Sequence, residues 1–363
     1  MIPASSLWLI LLTVAVISFL ATPIVIKIYR KIGAIDKPNP QKPMTTHHYP
    51  VPRGGGLAIF AGILFGIWLF LPVDKHLSGI IIGSAIAAGV GFLDDLFNLN
   101  PYLRLFLLLA IAFAVIAAGI GIPFINLPFL GIISLDQPRL VFSIFGESHS
   151  IWLLADIFAA VWIIGLMNFV NWSKGLDGQL PGIVVIASLV IGILSLRFSA
   201  DITQWPVIIL AMITAGAYLG FLPWNFYPQK IMPGFGGGIL GGYLLAVMSI
   251  LSNTKVGTLL VVLGVPIIDA LFIIVRRAAG GKSPVWGDRG HLHHRLLDDF
   301  HMSKKSVALT YWAVTAVLGF IALRLNSQQK FYTMLAVSLI IGGILLWIKY
   351  FGQLSKRPDH KDG

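Results

Sequence analysis

The chain has 363 residues, 57% of them hydrophobic and 11% charged, and a mean hydropathy of +0.86. Soluble domains carry about 25% charged residues, so a water-soluble globular protein is excluded. The 26 basic and 15 acidic residues leave +11, a balance that in a membrane protein fits anionic lipid and anionic substrates rather than nucleic acid; with no cysteine, disulfides, thiolate catalysis and cysteine–zinc sites are excluded too.

A membrane-spanning helix needs roughly 20 mostly apolar residues. By that ruler the sequence predicts an all-α polytopic membrane protein with about eleven transmembrane helices, near 6–28, 55–73, 77–93, 102–121, 151–170, 180–197, 204–222, 237–251, 256–275, 307–325 and 331–350. The first run, Leu7 to Ile28, is too long for a signal-peptide core and lacks a basic leader, so it reads as a retained span. The stretch 237–251 is short and glycine-rich. Between the fourth and fifth spans, 122–150 has Pro123, Pro128, Gly131, Pro138 and Gly146 with alternating apolar residues, the pattern of a small external β-hairpin. Residues 1–350 form one integral-membrane domain and 351–363 a tail; no internal repeat is evident.

Eleven spans put the termini on opposite sides. The gaps on one face hold only six of the 26 basic residues: Lys75, Arg139, Arg197, Lys255, Arg324 and Lys330. The face carrying the rest is cytoplasmic by the positive-inside rule, so the N-terminus is outside and the C-terminal tail cytoplasmic, in the inner or plasma membrane.

The polar residues concentrate on that cytoplasmic face, in the loops 29–54, 94–101, 171–179, 223–236 and 276–306. Connectors alone would share their polarity between both faces, so five such loops point to one composite site at the membrane surface. Each cluster also has a plainer reading. Residues 276–305 carry seven Lys or Arg and four His beside Asp288; they suit a phosphorylated ligand or form a solvated basic loop. Asp94 and Asp95 close the third span; a metal ion or a shared proton would relieve their repulsion, or they simply end a helix in water. Asn168, Asn171 and Asp177 form N-x-x-N-x-x-x-x-x-D-G, able to read a nucleobase or sugar edge or to act as a polar helix end. Residues 36–56 mix Lys42, His47, His48 and Arg53 with a Gly-rich turn suited to phosphate, or are a disordered basic segment. Gly234 to Gly242 reads equally as a phosphate cradle or as close helix packing through small residues. Asp269, inside an apolar span, is functional or paired with an interior Arg or hydroxyl; Asp156 lies near the external end of its helix.

GHLHHRLL after PIIDALFIIVRR, GFLDD, PVPRGGG and NxxNxxxGLDG, in this chain's order over about residues 5–350, resemble the polyprenyl-phosphate N-acetylhexosamine-1-phosphate transferase family (glycosyltransferase family 4). The resemblance implies transfer of a sugar-1-phosphate from a UDP-linked nucleotide-sugar to a polyprenyl phosphate lipid, with Mg²⁺, at the cytoplasmic leaflet, the first membrane step of cell-envelope glycan synthesis. It implies catalytic roles for Asp94 and Asp95, which are also the tentative metal ligands. It carries nucleotide-sugar binding to Asp177 and Asn225 and diphosphate binding to His291, His293 and His294; the chemistry of the residues themselves adds Asn168 and Asn171 at the nucleotide-sugar and Arg53, Asp288 and Arg289 at phosphate. A homodimer is one assembly open to it; nucleic acid is not an expected partner.

Three positions depart from the family pattern. Lys174 stands where DGLDG has its first aspartate, Phe235 where GD(T/S)GS has the main magnesium ligand, and Met232 where an aromatic stacks uracil. Phosphoryl transfer needs its developing charge neutralised. Lys174 can supply part of that in place of a metal, Asp94 and Asp95 can hold Mg²⁺ alone, or the chain binds the lipid phosphate without turnover. A transporter using Asp269 as a proton relay is the other rival; transporters of that kind often show inverted repeats, and none is visible here.

Overall fold

The computed structural model describes residues 4–38, 47–127, 129–144, 147–252, 256–284, 286 and 288–351. Lys42, Lys255, Pro128, Gly146 and the tail from 352 lie outside the described residues.

All eleven apolar segments are helical. In chain order they are α1 (Ala4–Ile32), α2 (Gly55–Phe70), α3 (Lys75–Phe97), α4 (Pro101–Ala117), α5 (Leu153–Trp172), α6 (Gln179–Leu196), α7 (Gln204–Asn225), α8 (Gly234–Leu251), the pair α9 (Val256–Val262) and α10 (Gly264–Ala279), then, after a short α11 (Leu292–Asp298), α12 (Lys304–Ala322) and α13 (Ser327–Phe351). Eight are long and apolar enough to cross a membrane among the described residues, nine if the α9–α10 pair is one span. The expected count of eleven is not reached by length, because α2 and α4 have 16 and 17 residues. At 1.5 Å per residue they reach about 25 Å of a hydrocarbon core about 30 Å thick.

The expected single span over 256–275 is broken, with α9 and α10 meeting at 80°. Pro266 lies three residues past the break; it has no N–H to donate to the carbonyl four residues back and its ring crowds that turn. The expected single hairpin is two antiparallel hairpins. The strands β3 (Phe124–Leu127) and β4 (Gly131–Ser134) pair with Phe124 opposite Ser134, and β5 (Arg139–Ile144) and β6 (Glu147–Trp152) pair with Arg139 opposite Trp152. Gly131, left-handed at φ 73°, opens β4 in the first of the two hairpins. Both lie between the C-terminus of α4 and the N-terminus of α5. Two-residue strands β1 (Ile35–Asp36) and β2 (Val51–Pro52) pair after α1.

The glycine-rich stretch forms the best-buried helix in the molecule. The 18-residue apolar window of α8 is 94% buried, against 17% for α13, and α8 packs on α2, α3, α5, α6, α7 and α9. The glycines permit it. A methyl on Gly91 of α3 would fall 2.2 Å from the Gly236 Cα, and one on Gly242 would fall 2.3 Å from the Leu166 carbonyl oxygen of α5. Small residues let the backbones touch, so of the two readings of 234–242 the packing one holds for Gly236 and Gly242.

Local signals place the polar ends. Asn98, left-handed at φ 47°, stops α3 directly after Asp94 and Asp95. Asn100 caps α4 by accepting from the Tyr102 N–H, and Pro101 starts the helix. That three-residue link turns the chain back so that Arg104 faces Asp94. The C-termini of α1, α3, α5 and α7 and the N-termini of α2, α4, α6 and α8 therefore share one end of the bundle, and the β3–β6 hairpins lie at the other.

Candidate active site

The carboxylate pair sits in the last turn of α3. Both residues are buried, at 6% and 8% exposure. Asp95 Oδ2 accepts from the Tyr29 hydroxyl of α1 at 3.2 Å. Asp94 Oδ1 lies 2.6 Å from Arg104 Nε. Gly234, with φ 68°, begins α8 between them: a methyl there would fall 2.9 Å from Asp95 Oδ1 and 2.4 Å from the Arg53 carbonyl oxygen, so no side chain fits. The Gly234 carbonyl accepts from Lys174 Nζ at 3.2 Å. Burial, with Arg104 and Arg53 nearby, pushes the Lys174 ammonium down to about 8, against the opposing pull of Asp94 and Asp95.

Beside it, Arg53 bridges Asp36 and Asn98 Oδ1, the latter at 2.5 Å. His47 Nε2 meets Asp36 Oδ2 at 2.9 Å. Burial works against the Asp36 charge, but Arg53 and His47 outweigh it and hold the carboxyl below its usual range. A cleft of about 380 Å³ opens here, lined by Asp36, Lys37, Arg53, Asp95 and Asn98. His48 is exposed.

The short loop 173–178 joins the rest. Lys174 reaches the carboxylate pair and Gly175 packs on His293: a methyl on Gly175 would fall 2.0 Å from the imidazole Nε2. Asp177 Oδ2 accepts from the Gln229 N–H at 3.2 Å, while its Oδ1 is buried with no hydrogen-bond partner among the described residues; burial raises this carboxyl. Asn225 ties the loops together. Its Oδ1 accepts from the Gly178 N–H at 3.0 Å and its Nδ2 donates to Gln229 Oε1 and the Ile231 carbonyl. Asn171 packs on Gly238, its Oδ1 also buried and without a partner among the described residues.

The histidine segment closes the far side. Asp269 is paired, with an imidazole and a backbone amide rather than the expected Arg or hydroxyl: Oδ2 lies 2.8 Å from His291 Nδ1 and Oδ1 accepts from the Leu292 N–H at 2.8 Å. A carboxylate at Nδ1 places the ring hydrogen there and leaves Nε2 for other work. His291 stacks on His293 with centroids 5.6 Å apart and packs on Trp172. His293 and His294 are fully or nearly buried. Burial lowers both imidazoles, reinforced by neighbouring histidines and, for His294, by Arg289; His294 falls to about 4. Neither His294 ring nitrogen has a hydrogen-bond partner among the described residues.

The five loops thus meet through specific contacts. Some predicted members are occupied elsewhere. Asp288 clamps Arg276 at 2.5 Å and Arg277 at 3.0 Å, and against burial these hydrogen bonds hold it at about 2; so placed, the carboxylate braces the loop. Arg289 forms a two-pronged pair with Asp298. Asn168 donates to the Ile164 carbonyl of its own helix. Asp156 accepts from the Trp152 N–H at the start of α5, at the other end of the bundle. The sequence reading passed over Tyr29, Arg104 and Gln229. Arg104 carried a signal: a lone cation in the apolar run YLRLFLLLA is expensive unless paired.

The donor set does not fit the magnesium ion that the family resemblance implies. Mg²⁺ wants oxygen ligands in octahedral array. Here Asp94 is paired to Arg104, position 235 is a phenyl ring, and Lys174 donates to the Gly234 carbonyl beside Asp95. Among the described residues no group of three or more carboxylates or imidazoles is placed to hold a metal.

A polytopic helical bundle with a charged site built from loops at one end is the class of protein that the fold defines. The family described as Glycosyl transferase family 4 matches residues 77–253. The chain is 30% identical over 339 residues to the "Probable undecaprenyl-phosphate N-acetylglucosaminyl 1-phosphate transferase" of Bacillus subtilis (strain 168), covering 91% of this chain and 87% of the relative. It is 29% identical to the decaprenyl-phosphate N-acetylglucosaminephosphotransferase of Mycobacterium leprae (strain TN), covering 88% of this chain and 84% of the relative. It is 28% identical to the undecaprenyl-phosphate alpha-N-acetylglucosaminyl 1-phosphate transferase of Thermotoga maritima, covering 88% and 89%. The chain belongs to glycosyl transferase family 4.

Proposed function

We propose that this membrane enzyme transfers a sugar-1-phosphate, N-acetylhexosamine-1-phosphate by its relatives' names, from a UDP-linked sugar to a polyprenyl phosphate. Transfer takes place at the cytoplasmic leaflet, with the N-terminus outside. An oxygen of the lipid phosphate attacks the β-phosphorus of the donor in line. The bond from that phosphorus to the oxygen bridging to the α-phosphate breaks, and nucleoside monophosphate leaves with the electron pair.

The cleft between the end of α1, β1 and the last turn of α3 receives the acceptor headgroup, with Lys37 and Arg53 supplying positive charge at its rim. Asp95, oriented by Tyr29, and Asp94, paired with Arg104, accept the hydrogen of the acceptor's P–OH group and so orient and deprotonate the attacking oxygen. The donor lies along the loop 173–178, its sugar or base against Asn171 and Asp177. Asn225 keeps that loop in place from behind. His291, fixed by Asp269, His293 and His294 face the diphosphate. Fixed dipoles and charges need no reorganisation as the reaction proceeds, so positioning and electrostatics carry most of the rate.

The observation that carries this reading is the set of buried polar atoms left without partners on Asn171, Asp177 and His294. Such atoms cost about 1–3 kcal/mol each if nothing binds them, and these three residues belong to the loops that meet here; further such atoms, on Ser18, Ser84, Ser188 and Thr258, lie within the helices. The test is purified protein in nanodiscs with undecaprenyl phosphate and UDP-N-acetylhexosamine radiolabelled in the sugar. Label should move to the lipid with one UMP released per transfer, and Asp95→Asn should slow it by about 10²–10⁴-fold.

A second reading, a binder of polyprenyl phosphate without turnover, is favoured by one observation: Phe235 and Lys174 stand where the family pattern has carboxylates. It predicts lipid binding that Asp94→Asn leaves unchanged and no transfer from any nucleotide-sugar.

A further inference from the structure

The departures from the family pattern are physically connected. Lys174 Nζ lies 5.5 Å from the centroid of the Phe235 ring, and Arg104 Cζ lies 5.2 Å from the same centroid. One aromatic ring therefore gathers two cations, one from the loop 173–178 and one from the first turn of α4, and the ring's electron-rich face favours them there. Both are also held by oxygen: Lys174 donates to the Gly234 carbonyl at 3.2 Å, and Arg104 Nε sits 2.6 Å from Asp94 Oδ1. An aspartate at position 235 would bring a third carboxylate to this point. Phe235 itself has no oxygen to offer a metal but presents a surface that seats two positive side chains.

We propose that Lys174 and Arg104, seated on Phe235 beside Asp94 and Asp95, take the place of a divalent cation in this enzyme, so that its transfer reaction runs without one. The inference rests on the transfer reading above and deepens it. What the reaction requires is positive charge at the β-phosphoryl oxygens and at the oxygen that leaves with the nucleoside monophosphate. Lys174 supplies a point charge to the phosphoryl group in flight. Arg104 supplies a planar fork, one nitrogen of which stays on Asp94 while another meets the leaving phosphate. The bonds made and broken are those already written, no proton or electron is gained or lost by the pair, and no further reactant is needed. A dication added at this point would face two fixed positive charges and a hydrocarbon ring, and would have to displace Arg104 from Asp94 to gain a ligand.

The experiment compares transfer by wild type in excess EDTA and in millimolar Mg²⁺, with parallel electron paramagnetic resonance of Mn²⁺ added to the metal-free protein. The expected result is transfer within about twofold in the two buffers, and no Mn²⁺ site that Asp95→Asn removes. Lys174→Ala should lose about a hundredfold or more, unrescued by Mg²⁺, as expected for one fixed charge-stabilising donor. The double variant Lys174→Asp/Phe235→Asp should gain a Mn²⁺ site. Transfer that vanishes in EDTA and returns with Mg²⁺, or one Mn²⁺ per chain bound through Asp95 in wild type, overturns the inference while leaving the transfer reading intact. Absence of transfer in both buffers sinks the transfer reading, and with it the claim about how its charge is neutralised; the Mn²⁺ spectrum then reports whether the cation pair alone keeps metal out.

Discussion

The histidine side and the carboxylate side of the site are built differently. On the histidine side, bonds close on the protein itself. Asp269 holds both His291 and the Leu292 amide, Asp288 holds two arginines, and Trp172 backs the stack. On the carboxylate side, Lys174 and Arg104 gather on one phenyl ring, with Arg104 paired to Asp94. The first arrangement fixes shape, with burial lowering the His293 and His294 imidazoles. The second fixes charge. The difference teaches that substitution at the charged side can rewire the chemistry while the shaped side stays the same.

The comparison can be broken in four ways. The largest expected effect is on rate: Asp95→Asn should lower transfer by about 10²–10⁴-fold, with unchanged thermal stability, because Asn still accepts from Tyr29. The next is on stability. Asp269→Ala strips a buried pair from the shaped side and should cost about 3–5 kcal/mol, read as a lower melting temperature in nanodiscs. Asn225→Ala should cost about 2–3 kcal/mol, since it leaves the Gly178 amide and the Ile231 carbonyl unpaired.

The third effect is a pH limb from the charged side. Lys174 faces Asp94 and Asp95 of α3, Arg104 of α4 and Arg53 before α2, and burial sets it at about 8. It is protonated below that value, so kcat/KM, which reports the free enzyme, should fall as pH rises through about 8. Lys174→Arg should keep the rate into more alkaline solution.

The smallest effect comes from the imidazoles. His294 is lowered to about 4 by burial, whereas the unfolded residue titrates near 6.5. Between those values the unfolded state binds more protons, so the stability contributed by neutral His294 is full above about pH 6.5 and is lost as pH falls toward 4. His294→Gln should flatten that acid limb in a melting-temperature profile.

Much of this was legible in the sequence because a bilayer is a demanding solvent. Apolar runs had to be helices, and polar loops gathered on one face had a reason to meet. Asp94, Asp177 and His293 stand out because polar groups at helix ends are conspicuous against hydrocarbon, whereas Asn225 comes from the family resemblance alone. What stayed hidden depended on partners far along the chain. Asp269 looked costly, but its partner, His291, is 22 residues on. Gly236 looked like a phosphate cradle as readily as a packing surface until Gly91 lay against it. Arg104 lay within a span and drew no notice, although its charge demanded a partner. The bend before Pro266 was masked by uniform hydropathy, which does not register a missing amide.

The central claim is that five loops form one phosphoryl-transfer site, and it is tested most directly by mixing the purified protein with undecaprenyl phosphate and sugar-labelled UDP-N-acetylhexosamine. The account predicts lipid-linked label with equimolar UMP, formed about 10²–10⁴-fold more slowly by Asp95→Asn. It is contradicted if no label reaches the lipid with any nucleotide-sugar, or if the Asp95→Asn protein transfers as fast as the wild type.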